Sequence, residues 1–311
     1  MRLSIHQIEY FIPDSFVKIS DNYHEFGLSN KEMRVYNKFY GINSIPVSSF
    51  SMQEMLLKVT SPIMLNVDKE KVLYVIMVRT APVVAPFNIS LVKGVAEKLG
   101  IINAMYFTIG MNKCVSILRA FEVAEKLLRY GDKDKYALII SGETIFTEEN
   151  RVLPNITIGG DAATAILVGL GNKHVLPNTL LALNMQIYGK YSKGSWMAMD
   201  EVAEFGQIFN KSMSKVIQGV LLKANINYDQ VKLILPHNVN VACWRGFCKF
   251  EGIPFSKVFL DNISQTAHCF NSDLLINLAT AIKTKRLRSG DYYVMATVGV
   301  GAMFGAAIFQ Y

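Results

Sequence analysis

Four side chains stand where a thiol, two imidazoles and a carboxylate could do chemistry. Cys114 lies in Phe107–Ile117 (FTIGMNKCVSI), where an apolar, strand-like stretch runs into a turn and then a helix. A thiol at a helix N-terminus has its thiolate favoured by the positive end of the dipole. That suits nucleophilic catalysis; a plain buried cysteine is the other reading. His237 lies in Leu235–Asn240 (LPHNVN), just past an apolar strand. α/β proteins place ligand and catalytic groups at such strand ends, although a capping or core histidine fits the pattern too. His268 lies in Gln265–Asp273 (QTAHCFNSD), directly before a predicted helix, with Asp273 five residues on. If the loop folds back, the carboxylate meets one ring nitrogen, fixes the tautomer and raises the basicity of the other, as in a Cys/Ser-His-Asp triad. Asn271, Ser272 and Asp273 equally suit helix capping.

Two glycine-rich turns accompany these groups. Gly159–Asp161 (GGD) and Gly299–Gly305 (GVGAMFG) let backbone N–H groups converge on an anion. Neither is a Walker A loop or a complete G-x-G-x-x-G after a strand, so nucleotide binding is disfavoured. A zinc site from His237, Cys243, Cys248 and Cys269 rests on a single C-x4-C pair, and no metal is expected.

These groups must be positioned by a large core. Of 311 residues, 51% are hydrophobic and 18% charged, which excludes disorder. The net charge of +7 is spread thinly and forms no basic stripe, so nucleic acid is not an expected partner. Four cysteines are too few for a disulfide scaffold. No secretory signal opens the sequence and no apolar run is long enough to span a bilayer. A reducing, cytoplasmic setting without membrane association is expected.

Lys71–Arg79, Tyr136–Gly142, Ala165–Gly169, Val231–Leu235 and Tyr292–Thr297 read as strands too uniformly apolar for a sheet with one wet face. Helices are predicted over Ser90–Leu99, Val115–Tyr130, Glu204–Ala224 and Asp273–Arg286. A layered α/β fold follows. At an offset of 159, Gly131-Asp132 falls on Gly290-Asp291, Ala120 on Ala279, Gly142 on Gly301 and Cys114 on Asp273. The recurring order of helix, Gly-Asp turn, strand and glycine turn predicts a duplicated unit, with halves 1–172 and 173–311. Pseudo-symmetry would bring the two helix starts together.

The ensemble resembles the ketoacyl-ACP synthase III family of the thiolase superfamily. Cys114-Val115-Ser116-Ile117 resembles the nucleophile segment Cys-x-Gly-Phe. Gly160-Asp161-Ala162-Ala163-Thr164-Ala165 resembles the G-D-G-A-G-A turn, and His237-Asn238-Val239-Asn240 resembles His-Gln-Ala-Asn. Gly299–Gly305 followed by Ala306-Ala307 resembles the C-terminal loop G-G-G-x-x-W-G. The resemblance implies a duplicated five-layered αβαβα thiolase fold and a homodimer.

One departure redirects the expected chemistry. The family's catalytic Asn in Gly-Asn-Thr-Ser falls on His268. His and Asn together donate hydrogen bonds that stabilise the enolate of a malonyl thioester. A histidine backed by Asp273 is a better base toward a hydroxyl or amine, and it resembles the divergent branch of natural-product acyltransferases. The resemblance therefore implies an acyl group arriving on an acyl carrier protein or coenzyme A, held on Cys114 and passed to a hydroxyl or amine. His268 and Asp273 would activate the acceptor, the backbone N–H groups of Cys114 and Val300 would form the oxyanion hole, and His237 would be a further polar group. No cofactor is implied beyond the thioester substrate. The alternatives are a ketosynthase that condenses with malonyl-ACP and a non-catalytic partner subunit of one.

Overall fold

A computed structural model describes residues 1–80, 86, 88–130, 134–145, 151–171 and 177–311. Nine strands form one sheet: β1 (Arg2–Phe11), β2 (Val72–Val78), β3 (Met105–Ile109), β4 (Tyr136–Glu143), β5 (Ala162–Gly171), β6 (Thr179–Ile187), β7 (Val231–Pro236), β8 (Tyr292–Gly299) and β9 (Met303–Gln310). Their order is β7-β8-β9-β6-β1-β5-β4-β2-β3. Outward from the β1–β6 seam, β1 pairs antiparallel with β5, β5 antiparallel with β4, and β4 parallel with β2. On the other side β6, β9, β8 and β7 repeat that sequence of two antiparallel pairs and one parallel pair.

Six main helices cover the sheet: α1 (Met52–Met64), α2 (Leu91–Leu99), α3 (Ser116–Arg129), α4 (Met199–Ala224), α5 (Val241–Glu251) and α6 (Asp273–Lys283). Strand alternation sorts the core into layers. In β2, Ile76 and Val78 face α3 and α6, whereas Val75 and Met77 face α1 and α2. In β8, Tyr293 and Met295 join the α3/α6 core, whereas Val294 and Ala296 pack with α4 and α5. Helices α3 and α6 thus lie between two half-sheets, and α1/α2 and α4/α5 close the outer faces. The result is a layered α/β fold, as expected from the uniformly apolar strands, and its five layers are the αβαβα arrangement that the family resemblance implied.

The single offset of 159 fits β2 and β7 but drifts by two or three residues elsewhere, since α3 and α6 start 157 apart and β4 and β8 start 156 apart. Gly142 and Gly301 are consequently not equivalent. Gly142 lies inside β4, whereas Gly301 turns after β8 with a φ of 121°. Gly131-Asp132 and the boundary at 172/173 lie outside the described residues.

Candidate active site

Cys114 sits in a single 3-10 turn, Lys113–Val115, that feeds α3 at Ser116. Lys113 carries a φ of 52° and so turns the chain sharply from β3 into the helix. The first free N–H of the helix, on Ile117, is met by Asn271 Oδ1 at 3.1 Å, and Ser116 Oγ donates to the Arg79 carbonyl at 3.3 Å. From the other half, Thr297 Oγ1 donates to the Cys114 carbonyl at 3.2 Å. Gly299 lies against the same turn: a Cβ there would come within 2.9 Å of the Asn112 carbonyl oxygen and 3.4 Å of Cys114 N. The C-terminal glycine loop therefore abuts the backbone of the cysteine at Gly299, the residue before Val300.

His268 is brought to this point by α6 and by the strand-like edge of Ile158–Gly160. His268 N donates to the Ile158 carbonyl at 3.1 Å and Gly160 N donates to the His268 carbonyl at 3.0 Å. Ala267 and Phe270, on either side of His268, have φ of 50° and 54°. Among the described residues four that are neither Gly, Asn nor Asp have positive φ, and Lys113, Ala267 and Phe270 are three of them. Such conformations cost about 1–3 kcal/mol each and tend to mark sites where the fold over-determines a side chain.

The ring of His268 joins the thiol to the carboxylate. Its Nε2 is 3.5 Å from Cys114 Sγ and its Nδ1 is 2.6 Å from Asp273 Oδ2. Asp273 is fully buried, and its oxygens also accept from two backbone N–H groups, Cys269 N on Oδ1 and Asn238 N on Oδ2, both at 2.7 Å. Burial alone would disfavour protonation of His268. Asp273, followed by Cys114, overrides that and pushes its pKa up to about 10. His237 has the opposite environment. It is fully buried, its ring centroid lies 5.9 Å from that of His268, and among the described residues neither ring nitrogen has a hydrogen-bond partner. Desolvation, with His268 adding to it, pushes its pKa down to about 3, so His237 is a neutral imidazole.

Burial pushes Cys243 up to about 12 and Cys248 up to about 11, and holds Cys269 well above the ordinary range. Among the described residues no group of three or more His, Cys, Asp and Glu side chains is arranged to hold a metal ion. None of their helices is long and apolar enough to cross a membrane.

The structure thus gathers Cys114, His268, Asp273 and His237, with Gly299 against the turn of the cysteine, and it corrects three readings. The Gly159–Asp161 turn offers no anion cradle. Its three N–H groups are taken by the carbonyls of Arg151, His268 and Pro46. Gly160 is there for close approach, since a Cβ would come within 2.6 Å of the Thr266 carbonyl oxygen. Gly305 belongs to β9, not to a loop, and a Cβ there would come within 2.7 Å of Val115 Cγ1. Finally, none of Asn271, Ser272 and Asp273 caps its own helix: Asn271 caps α3, Ser272 Oγ meets Ser141 and Thr164, and Asp273 holds His268. Thr80 was missed. Its Oγ1 lies 3.7 Å from Cys114 Sγ. Its place at the carboxyl end of the strand Lys71–Arg79 was the available signal.

Fold and site together define a thiolase-fold protein whose cysteine, histidine and aspartate meet at the junction of two duplicated halves. Residues 221–311 match the family model of 3-oxoacyl-[acyl-carrier-protein] synthase III, C-terminal part. The β-ketoacyl-[acyl-carrier-protein] synthase III of Aquifex aeolicus is 28% identical over 211 residues, 64% of each chain. The match thus spans just under two thirds of that relative. A solved 3-oxoacyl-[acyl-carrier-protein] synthase III from Aquifex aeolicus superposes with a TM-score of 0.85 at 22% identity, covering 99% of this chain and 100% of the other. ChlB3, described as an acyltransferase, superposes with a TM-score of 0.87 at 16% identity, covering 100% and 98%. The chain is thus similar in sequence to β-ketoacyl-[acyl-carrier-protein] synthase III over 64% of its length and shares the fold of the solved synthase III over 99% of it.

Proposed function

We propose that this protein is an acyltransferase of secondary metabolism that carries an acyl group on Cys114 from a thioester to a hydroxyl or amine. The observation that carries the reading is the buried line from Cys114 Sγ through His268 to Asp273, at 3.5 and 2.6 Å. His268 takes the thiol proton and the thiolate attacks the thioester carbonyl. The backbone N–H groups of Cys114 and Val300 face the oxyanion. The donor thiolate leaves with the proton from His268. In the second half-reaction neutral His268 takes the acceptor's proton, the new C–O or C–N bond forms, and the C–S bond to Cys114 breaks. Asp273 keeps Nδ1 protonated, so Nε2 is the nitrogen that exchanges the proton. The chemistry asks for no cofactor beyond the thioester.

The donor we propose is an acyl carrier protein or coenzyme A; the relatives' names support the former. We also propose a homodimer. Strand β3 lies at the end of the sheet; Met105 at its start is 63% exposed, and Ile102 and Met111 on either side of it are 74% and 89% exposed. An apolar sheet edge of this kind asks for a partner strand.

A second reading has its own support. Neutral His237, with both ring nitrogens unpartnered, can donate to a carbonyl and stabilise an enolate, as decarboxylative condensation with malonyl-ACP needs. The test supplies acyl donor with hydroxyl and amine acceptors, and separately with malonyl-ACP, and follows ester, amide and carbon dioxide. Ester or amide without carbon dioxide supports acyl transfer; carbon dioxide with no ester or amide supports condensation. No protein adduct at all would favour a non-catalytic subunit.

A further inference from the structure

We infer that Thr80 is a further catalytic residue, whose hydroxyl donates a hydrogen bond to the Cys114 sulfur whenever that sulfur carries negative charge. The inference rests on Cys114 being the nucleophile. It is carried by a chain of hydrogen bonds whose directions are fixed. The Ile117 backbone N–H can only donate, so the atom of Asn271 that meets it at 3.1 Å is the amide oxygen. The amide nitrogen of Asn271 therefore points the other way, and it donates to Thr80 Oγ1 at 2.9 Å. With its oxygen accepting from Asn271, Thr80 has its own proton to give, and Cys114 Sγ lies 3.7 Å away.

The backbone of Thr80 is pinned as well. Its N–H donates to the carboxylate of Glu143, which is buried and lies 3.6 Å from the guanidinium of Arg79, buried likewise. A buried ion pair set beside one threonine is a costly way to fix a backbone, and it makes sense as support for a hydroxyl whose direction matters. Sulfur then has two polar neighbours of different kinds. His268 exchanges the proton, while Thr80 stays protonated throughout and steadies the charge. That charge appears twice, when Cys114 attacks the donor thioester and when the C–S bond breaks on transfer to the acceptor. In the acyl-enzyme between them the sulfur is neutral and accepts a hydrogen bond only weakly, so the interaction favours the charged forms.

The test is the pH profile of Cys114 alkylation by iodoacetamide, read by intact mass and peptide mapping on the full chain. Thr80→Val keeps the shape and removes the donor. A hydrogen bond to a charged group is expected to shift the alkylation midpoint upward by about one pH unit and to slow reaction at pH 6.5 by about tenfold. Thr80→Ser keeps the hydroxyl and recovers most of the loss. Should valine not be tolerated, Thr80→Ala gives the same readout without added bulk. An unchanged profile in Thr80→Val or Thr80→Ala, with Cys114 still the selectively alkylated thiol, overturns the role of Thr80 alone. Wild-type protein in which Cys114 reacts no faster than Cys243, Cys248 or Cys269 overturns the nucleophile itself.

Discussion

Replacing Asp273 with asparagine separates orientation from charge in the histidine–aspartate pair. Oδ2 accepts from His268 Nδ1 and from Asn238 N, while Oδ1, among the described residues, accepts only from Cys269 N. An amide has one oxygen, and placing it at the Oδ2 position keeps two of the three bonds. The NH2 group then faces the Cys269 N–H, donor against donor. One buried N–H without an acceptor costs about 1–3 kcal/mol, which for a chain of this size lowers Tm by about 2–6 °C. The tautomer of His268 survives, because an oxygen still faces Nδ1. The charge does not survive, and with it goes the strongest influence that raises His268 against burial, so its pKa falls from about 10. Transfer should fall by about 10²-fold, less than the roughly 10⁴-fold seen where an Asp→Asn change selects the wrong tautomer. The assay loads Cys114 with an acyl group and follows its discharge to acceptor by intact mass. The stability difference also has a sign. Because the fold raises the pKa of His268, the stability it confers is full below the ordinary histidine range and fades as pH rises toward about 10. Discharge at the wild-type rate, with wild-type Tm at pH 6, would refute the assigned role of Asp273.

Three further outcomes are expected. Cys114→Ala abolishes the acyl adduct in intact mass, whereas Cys243→Ala and Cys269→Ala retain it, because burial keeps those thiols protonated. Light scattering at micromolar concentration gives twice 34.8 kDa, and Met105→Lys on the outer edge of β3 shifts the mass toward one chain. Gly305→Ala drives a Cβ toward Val115 and Leu118, at 2.7 and 2.9 Å, and lowers stability by about 1–3 kcal/mol in a thermal melt.

The strands easiest to find in the sequence are those buried on both faces. Val72–Val78, Tyr136–Glu143, Val231–Pro236 and Tyr292–Gly299 read as continuous apolar runs because helices cover each side. Strand β1 escaped because His6, Gln7 and Glu9 interrupt it, and Met303–Gln310 escaped because Gly305 suggested a loop. That glycine answers to the packing of α3, a long-range contact that no local pattern carries. The same limit applies at the site. His268 and Asp273 are five residues apart, and their pairing could be reasoned from the turn between them. The Asn271 bridge to Thr80 spans 191 residues and the Asn238 support of Asp273 spans 35, so both emerge only with the fold. His237 was marked by its place after a strand, while its neutrality follows from complete burial.

The central claim is that Cys114 carries an acyl group that His268 releases to a hydroxyl or amine without decarboxylation. It is tested most directly by single-turnover mass spectrometry of the acyl-enzyme, wild type against His268→Ala. After loading from an acyl thioester, wild-type protein should lose the adduct from Cys114 as ester or amide appears in step. The His268→Ala protein should load slowly and keep its adduct in the presence of acceptor. Discharge only on addition of malonyl-ACP, with carbon dioxide released, would contradict the account.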